Sequence, residues 1–180
     1  MDISKLFNEI MKDINSHKFR TTHPDLKFEL VESSDLWKHS VCITNKTSCY
    51  FIDEEDFVFD YTKVTKFKQL SKEPIVKIIN DFYGSKPAQI HFSHKTSVKE
   101  CDGTNVQVYV FDIDIGYQVY IKAEYIKYFD TKSDKFYPVP IIDCKNNIEK
   151  DYRHKLRPVM ITDACGKLNG IVVPYDIKMK

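Results

Sequence analysis

Asp112 and Asp114 carry the most pointed chemistry in the chain, because they alternate with Ile113 inside the strand-like run from Asn105 to Ile115. Period-two geometry then sets both carboxylates on one face. Converging carboxylates hold a divalent cation such as magnesium, and metal-dependent nucleases and phosphoryl-transfer enzymes use such a site to position an attacking water. Glu100, Asp102 or Glu124 would supply a third carboxylate. Against this, Val106, Val108 and Val110 alternate with Gln107, Tyr109 and Phe111, so both faces of the strand carry apolar groups and the aspartates mark its solvated end before Gly116. A nuclease of the D…(E/D)-x-K kind also needs an acid two residues before a lysine on the next strand, and Tyr120-Ile121-Lys122 lacks it.

The segment from His91 to Thr96 holds two overlapping H-x-[S/T] triplets, the pattern with which two-histidine phosphoesterases grip a phosphate. In those enzymes one triplet comes from each half of the fold. Here both share one strand, and His91 and His94, three apart, are expected on opposite faces. No G-x-S-x-G elbow, G-x-G-x-x-G turn or P-loop occurs among the five glycines. Cys42, Cys49, Cys101, Cys144 and Cys165 are odd in number and contain no C-x-x-C pair, so neither a disulfide framework nor a zinc knuckle is suggested. Cys42 and Cys49 flank a turn and are the one pair that a hairpin would bring across from each other.

Surfaces are the other source of function. Lys150, Arg153, Lys155 and Arg157 surround Tyr152, a set able to contact phosphates and to stack on a base, although Asp143, Glu149 and Asp151 are interleaved. A second basic group, Lys63, Lys66, Lys68 and Lys72, lies mid-chain. Tyr117, Tyr120, Tyr125 and Tyr128 cluster after Gly116, and exposed tyrosines suit protein partners because a large ring gains contact with little rotamer entropy to lose. The competing reading packs those rings under the sheet's own short helix.

Around these residues the periodicity predicts an amphipathic helix over 3–16 with Asp2 as N-cap, and a half-buried strand in which Phe28 and Leu30 alternate with exposed charges. A hairpin follows, from Val41 to Thr44 and Ser48 to Ile52 about Asn45-Lys46-Thr47. Asp53 to Asp56 form a solvated acidic loop, and Lys63 to Leu70 a short basic helix. A central helix spans 73–82, with Pro74 in its first turn and Gly84 as its stop. Strands are expected at 88–93, 105–115, 117–122, 136–142, 158–162 and 168–173, with a short aromatic helix at 124–129. The last two strands enclose Asp163-Ala164-Cys165-Gly166-Lys167 as a C-terminal hairpin, and Pro174 either ends its second strand or holds it at an edge. The fold class is α+β with a largely antiparallel sheet.

The 180 residues form one globular domain over 1–180, and 27 basic against 26 acidic residues leave a net charge of +1, too small for a global field that recruits nucleic acid or membrane. No apolar run reaches the length of a membrane span, and Met1 to Lys5 lacks a basic, apolar secretion signal, so a cytoplasmic location is expected. Lysine-rich, isoleucine-rich and asparagine-rich usage suits an AT-rich genome, phage or viral genomes included. The first functional expectation is therefore a small intracellular interaction protein that needs no cofactor, binds a protein partner through the tyrosines or the Arg153/Arg157 segment, and inhibits a host macromolecule in an anti-defence or anti-CRISPR manner. The second is a magnesium-dependent nuclease using Asp112 and Asp114.

Overall fold

Leu6, Ile10 and Ile14 recur every fourth residue, and all three are buried along one side of helix α1 (Ile3–Ser16). Asp2 caps it, its Oδ1 accepting from the Lys5 N–H at 3.0 Å. The computed structural model describes residues 1–16, 27–57, 69–100, 102–114, 117–140 and 157–176. After α1 come β1 (Glu29–Val31), a 3-10 turn (Asp35–Trp37), β2 (Ser40–Thr44) and β3 (Ser48–Asp53). The β2–β3 hairpin closes as expected on Asn45, whose Oδ1 accepts from the N–H groups of Thr47 (3.2 Å) and Ser48 (2.8 Å) while Lys46 takes φ 73°. Next are β4 (Gln69–Leu70), α2 (Glu73–Ser85), β5 (His91–Lys99), β6 (Asn105–Asp114), β7 (Tyr117–Lys122), α3 (Ala123–Ile126), β8 (Lys135–Pro138), β9 (Val159–Thr162) and β10 (Leu168–Val172).

The strands form a seven-stranded sheet ordered β4-β1-β2-β3-β10-β9-β8 and a three-stranded sheet ordered β5-β6-β7. Every neighbouring pair is antiparallel except β1 with β4. The fold is thus α+β, and an isolated bridge from Ile90 to Phe136 ties the start of the small sheet to edge strand β8. Each face of the large sheet has its own core. On one face Ile43, Tyr50, Ile52, Val159, Ile161 and Val172 meet α1, α3 and Phe111, Val119 and Ile121 of the small sheet. On the other, Val31, Cys42, Phe51, Met160 and Ile171 meet Trp37 and Ile75 and Ile79 of α2. Among the described residues no helix is long and apolar enough to cross a membrane.

Several expected details are corrected. Glu29 is buried rather than exposed, on the same face of β1 as buried Val31, and among the described residues its Oε2 finds no hydrogen-bond partner. The central helix runs past Gly84 to Ser85, and the left-handed residue after it is Lys86 (φ 45°), whose N–H reaches the Phe82 carbonyl. Pro87 follows Lys86 and cannot continue a helix, so the stop needs no glycine. Strand β5 begins later and ends later than expected, at Lys99. Gln69 and Leu70 form strand β4 rather than the end of a basic helix; the rest of that stretch, like residues 141–156, lies outside the described residues. Pro174 lies beyond the end of β10, which is an interior strand between β3 and β9.

Candidate functional site

Strand β6 is not the unbroken strand that the paired carboxylates presumed. Asp112 lies opposite Gln118 and Asp114 opposite Tyr117, so a bulge at Ile113 breaks the alternation on which a shared face depended. Asp112 is exposed, and its Oδ1 accepts from Gln118 Nε2 at 2.9 Å, while Gln118 Oε1 accepts from the Tyr120 hydroxyl at 2.9 Å. Glu124 opens α3 two residues after Lys122, and Lys122 pairs with Val108, roughly 13 Å along the sheet from Asp112 at about 3.3 Å per residue. Glu100 and Asp102 lie at that same far end. The Tyr175 hydroxyl (2.6 Å) and the Lys122 ammonium (3.0 Å) hold the Glu100 carboxyl below its usual range. Among the described residues no three His, Cys, Asp or Glu side chains converge as metal ligands.

A second bulge, at Ser93, corrects the histidine geometry. His91 pairs with Asp112 and His94 with Val110, two residues apart on β6, so the two histidines share a face. Both are exposed, and His94 Nδ1 meets Ser93 Oγ at 3.2 Å. The cysteine expectation shifts as well. Cys42 is opposite Phe51 and Cys49 opposite Thr44, which leaves the two thiols diagonal on one face rather than directly across. Burial pushes the Cys42 thiol well up, and the hydrogen bond with Cys42 pulls the Cys49 thiol down.

The tyrosine group divides. Tyr128 is a core residue, 1% exposed, with its ring edge-on to Tyr50 at 5.4 Å. Burial, reinforced by the Glu9 carboxylate beside it, raises the pKa of its hydroxyl, which makes no well-formed hydrogen bond. Tyr125 is half-buried against the same core, and Tyr120 is half-buried in the Gln118 network. Packing under the short helix therefore claims Tyr128, and it leaves the contact surface. Tyr117 lies on β7 opposite Asp114. Tyr152, Arg153, Lys150 and Lys155 lie outside the described residues, and Arg157 is half-buried, with desolvation lowering its pKa.

A different place on the molecule gathers the features of a binding site. Ser34 caps the 3-10 turn, its Oγ accepting from the Leu36 N–H at 3.4 Å, and the tight turn sends Trp37 inward and Leu36 outward. The Trp37 ring, 5% exposed, meets Phe51 edge-on at 5.5 Å, and among the described residues its indole N–H has no acceptor. Tyr83, in the last turn of α2, lies one turn beyond Ile79 along the same stripe of the helix and is 59% exposed. The β9–β10 turn forms the third wall, held by Asp163 Oδ1, which accepts from the N–H groups of Cys165 and Lys167, both at 2.8 Å. Gly166 takes φ 88° there, a conformation that glycine adopts without strain.

Between these walls lies a cleft of about 300 Å³, with Leu36, Trp37, Phe51, Tyr83, Lys167 and Leu168 in its lining. Lys167 is fixed at the rim by an ion pair with Asp53, and Ser40 Oγ donates to the other oxygen of Asp53 at 3.3 Å. The sequence held one signal for this site: Tyr83, four residues after Ile79, extends the apolar stripe of Ile75 and Ile79 to the end of the helix. Nothing in the sequence joined Tyr83 to Leu36, 47 positions apart by numbering. No protein-family model, curated protein or solved structure matches the chain.

Proposed function

We propose that this is a protein-binding module that seats an apolar side chain of a partner protein in the cleft between Leu36 and Tyr83, and inhibits the partner by occupying that surface. One observation carries the reading: of the three large apolar side chains exposed on the described residues, Leu36, Tyr83 and Val173, two line the same cleft. Scattered exposed apolar residues are ordinary, but an exposed pair over a concave aromatic floor is the form that interface hot spots take. The floor of Trp37 and Phe51 offers ring contact, and the Lys167–Asp53 pair gives a polar rim. The adjacent, unbridged Cys42 and Cys49 thiols support an intracellular setting.

The test is affinity capture from native extract with the wild-type chain and with a Leu36→Asp/Tyr83→Ser variant, each with and without nuclease, after melting curves show that the variant is folded. A protein retained by the wild type, lost by the variant and indifferent to nuclease is the expected result. Retention by the variant, or loss on nuclease treatment, overturns the reading.

A further inference from the structure

Strand β5 closes the small sheet on one side and leaves an open edge on the other. Its nine residues pair with β6 from His91↔Asp112 to Lys99↔Asn105. On the outer side, among the described residues, pairing stops at the Ile90 N–H bond to Phe136 (2.8 Å), and the backbone from His91 to Lys99 has no partner. An edge of that length offers unpaired N–H and C=O groups as a template for another strand.

The side chains decide which strand fits. From His91 to Lys99 the edge contains Lys95 and Lys99 and no carboxylate. Both lysines are exposed on the face that also bears Ser97, and Lys95 Nζ lies 4.6 Å from the Tyr109 ring centroid. Neither has a carboxylate partner among the described residues. A second copy pairing antiparallel about Ser97 would set Lys95 against Lys99, and pairing about Lys95 would set that lysine against itself. Like charges directly opposite one another are unfavourable, so the cations weigh against self-association in both of these registers. The same cations favour carboxylates four residues apart on an added strand. On the other face Thr96 and Val98 are half-buried and call for apolar neighbours at the intervening positions.

We infer that β5 is a docking edge for an extended acidic segment of a partner protein, of the pattern acidic, apolar, small, apolar, acidic, which adds to the small sheet as a fourth strand opposite Lys95, Ser97 and Lys99. This surface is separate from the Leu36–Tyr83 cleft, and neither reading depends on the other.

The experiment titrates isotopically labelled full-length protein with the peptide acetyl-Thr-Val-Glu-Val-Thr-Val-Glu-Val-Thr-amide and with its counterpart in which both glutamates are lysine. The glutamate peptide should bind at least about tenfold more tightly, weaken with added salt, and slow amide exchange within 91–99. In Lys95→Glu/Lys99→Glu the preference should invert, so that the lysine peptide binds and the glutamate peptide does not. Equal binding of the two peptides to the wild type overturns the inference, and this comparison stands even if the reversed-charge variant fails to fold. Exchange protection elsewhere overturns it, as does displacement of the glutamate peptide from the same amides by an equimolar oligo-dT strand, which would show a site for polyanions.

Discussion

The two faces of the seven-stranded sheet are covered by different amounts of protein. One lies under α1, α3 and the three-stranded sheet together, and its aromatic rings interlock: Tyr50 stacks on Phe129 at 5.6 Å and meets Tyr128 edge-on. The other, among the described residues, lies under α2 and the 3-10 turn. Seven strands at about 4.8 Å span roughly 30 Å, whereas a helix with its side chains is about 10 Å wide. One helix cannot cover that width. Where α2 ends, the sheet is finished by turns, and the cleft with Leu36 and Tyr83 lies at that margin. Among the described residues the double cover produces a sealed core, and the single cover leaves apolar side chains exposed at its margin.

Truncating a side chain on the sealed face should therefore be costly, and Tyr128→Ala should have the largest effect. Loss of a fully buried aromatic ring from a packed site costs about 3–5 kcal/mol, read as a fall in the urea midpoint at unchanged slope. A change below about 1 kcal/mol would mean that Tyr128 is peripheral and that the two faces do not differ in this way.

Gly170→Ala comes next. A Cβ at that position would lie 2.4 Å from Phe129 Cζ and 2.6 Å from the Cys49 carbonyl oxygen. The ring can shift but the carbonyl belongs to strand β3, so overpacking of about 1–3 kcal/mol is expected. Adding Phe129→Leu should recover part of it, since it removes one of the two obstacles. No recovery would place the strain in the backbone alone.

The sealed face should also fail in alkali. Burial pushes the Tyr50 hydroxyl up to about 12, from an ordinary value of 10. The unfolded chain then releases this proton before the folded one, so the contribution is fully present below pH 10 and is lost as pH rises towards 12, to a limit of roughly 3 kcal/mol. Tyrosinate absorbance at 295 nm should show a late fraction that rises together with loss of near-ultraviolet circular dichroism. A single early titration of all tyrosines with the fold intact would contradict it.

Sequence pattern exposed the sealed core more readily than the site. The α1 spacing, the Asp2 cap, the Asn45 turn and the C-terminal hairpin follow from local rules, and each is present. The carboxylate and histidine geometries depended on unbroken period-two strands, and the bulges at Ile113 and Ser93 reversed both. A bulge changes which face a residue serves without leaving a residue type that marks it. Tyr128 stood in a tyrosine cluster that suits either a contact surface or packing under the short helix, and α3 ends after a single turn with that ring buried. The cleft joins three segments distant in sequence, so no window of the chain contained it.

The smallest effect on stability is expected at the open margin. Tyr83 is more than half exposed, its ring touches Phe82 at 5.1 Å, and serine and tyrosine have similar helix propensities. Tyr83→Ser should therefore change stability by no more than about 0.5 kcal/mol, while Phe82→Ser, which also strips the contact with Tyr137 at 5.4 Å, should cost about 2–3 kcal/mol. These two adjacent residues bring the contrast between the faces down to a single helical turn. If their costs are equal, the turn is uniformly structural and Tyr83 belongs to the core; if they separate as stated, the fold does not depend on the Tyr83 ring.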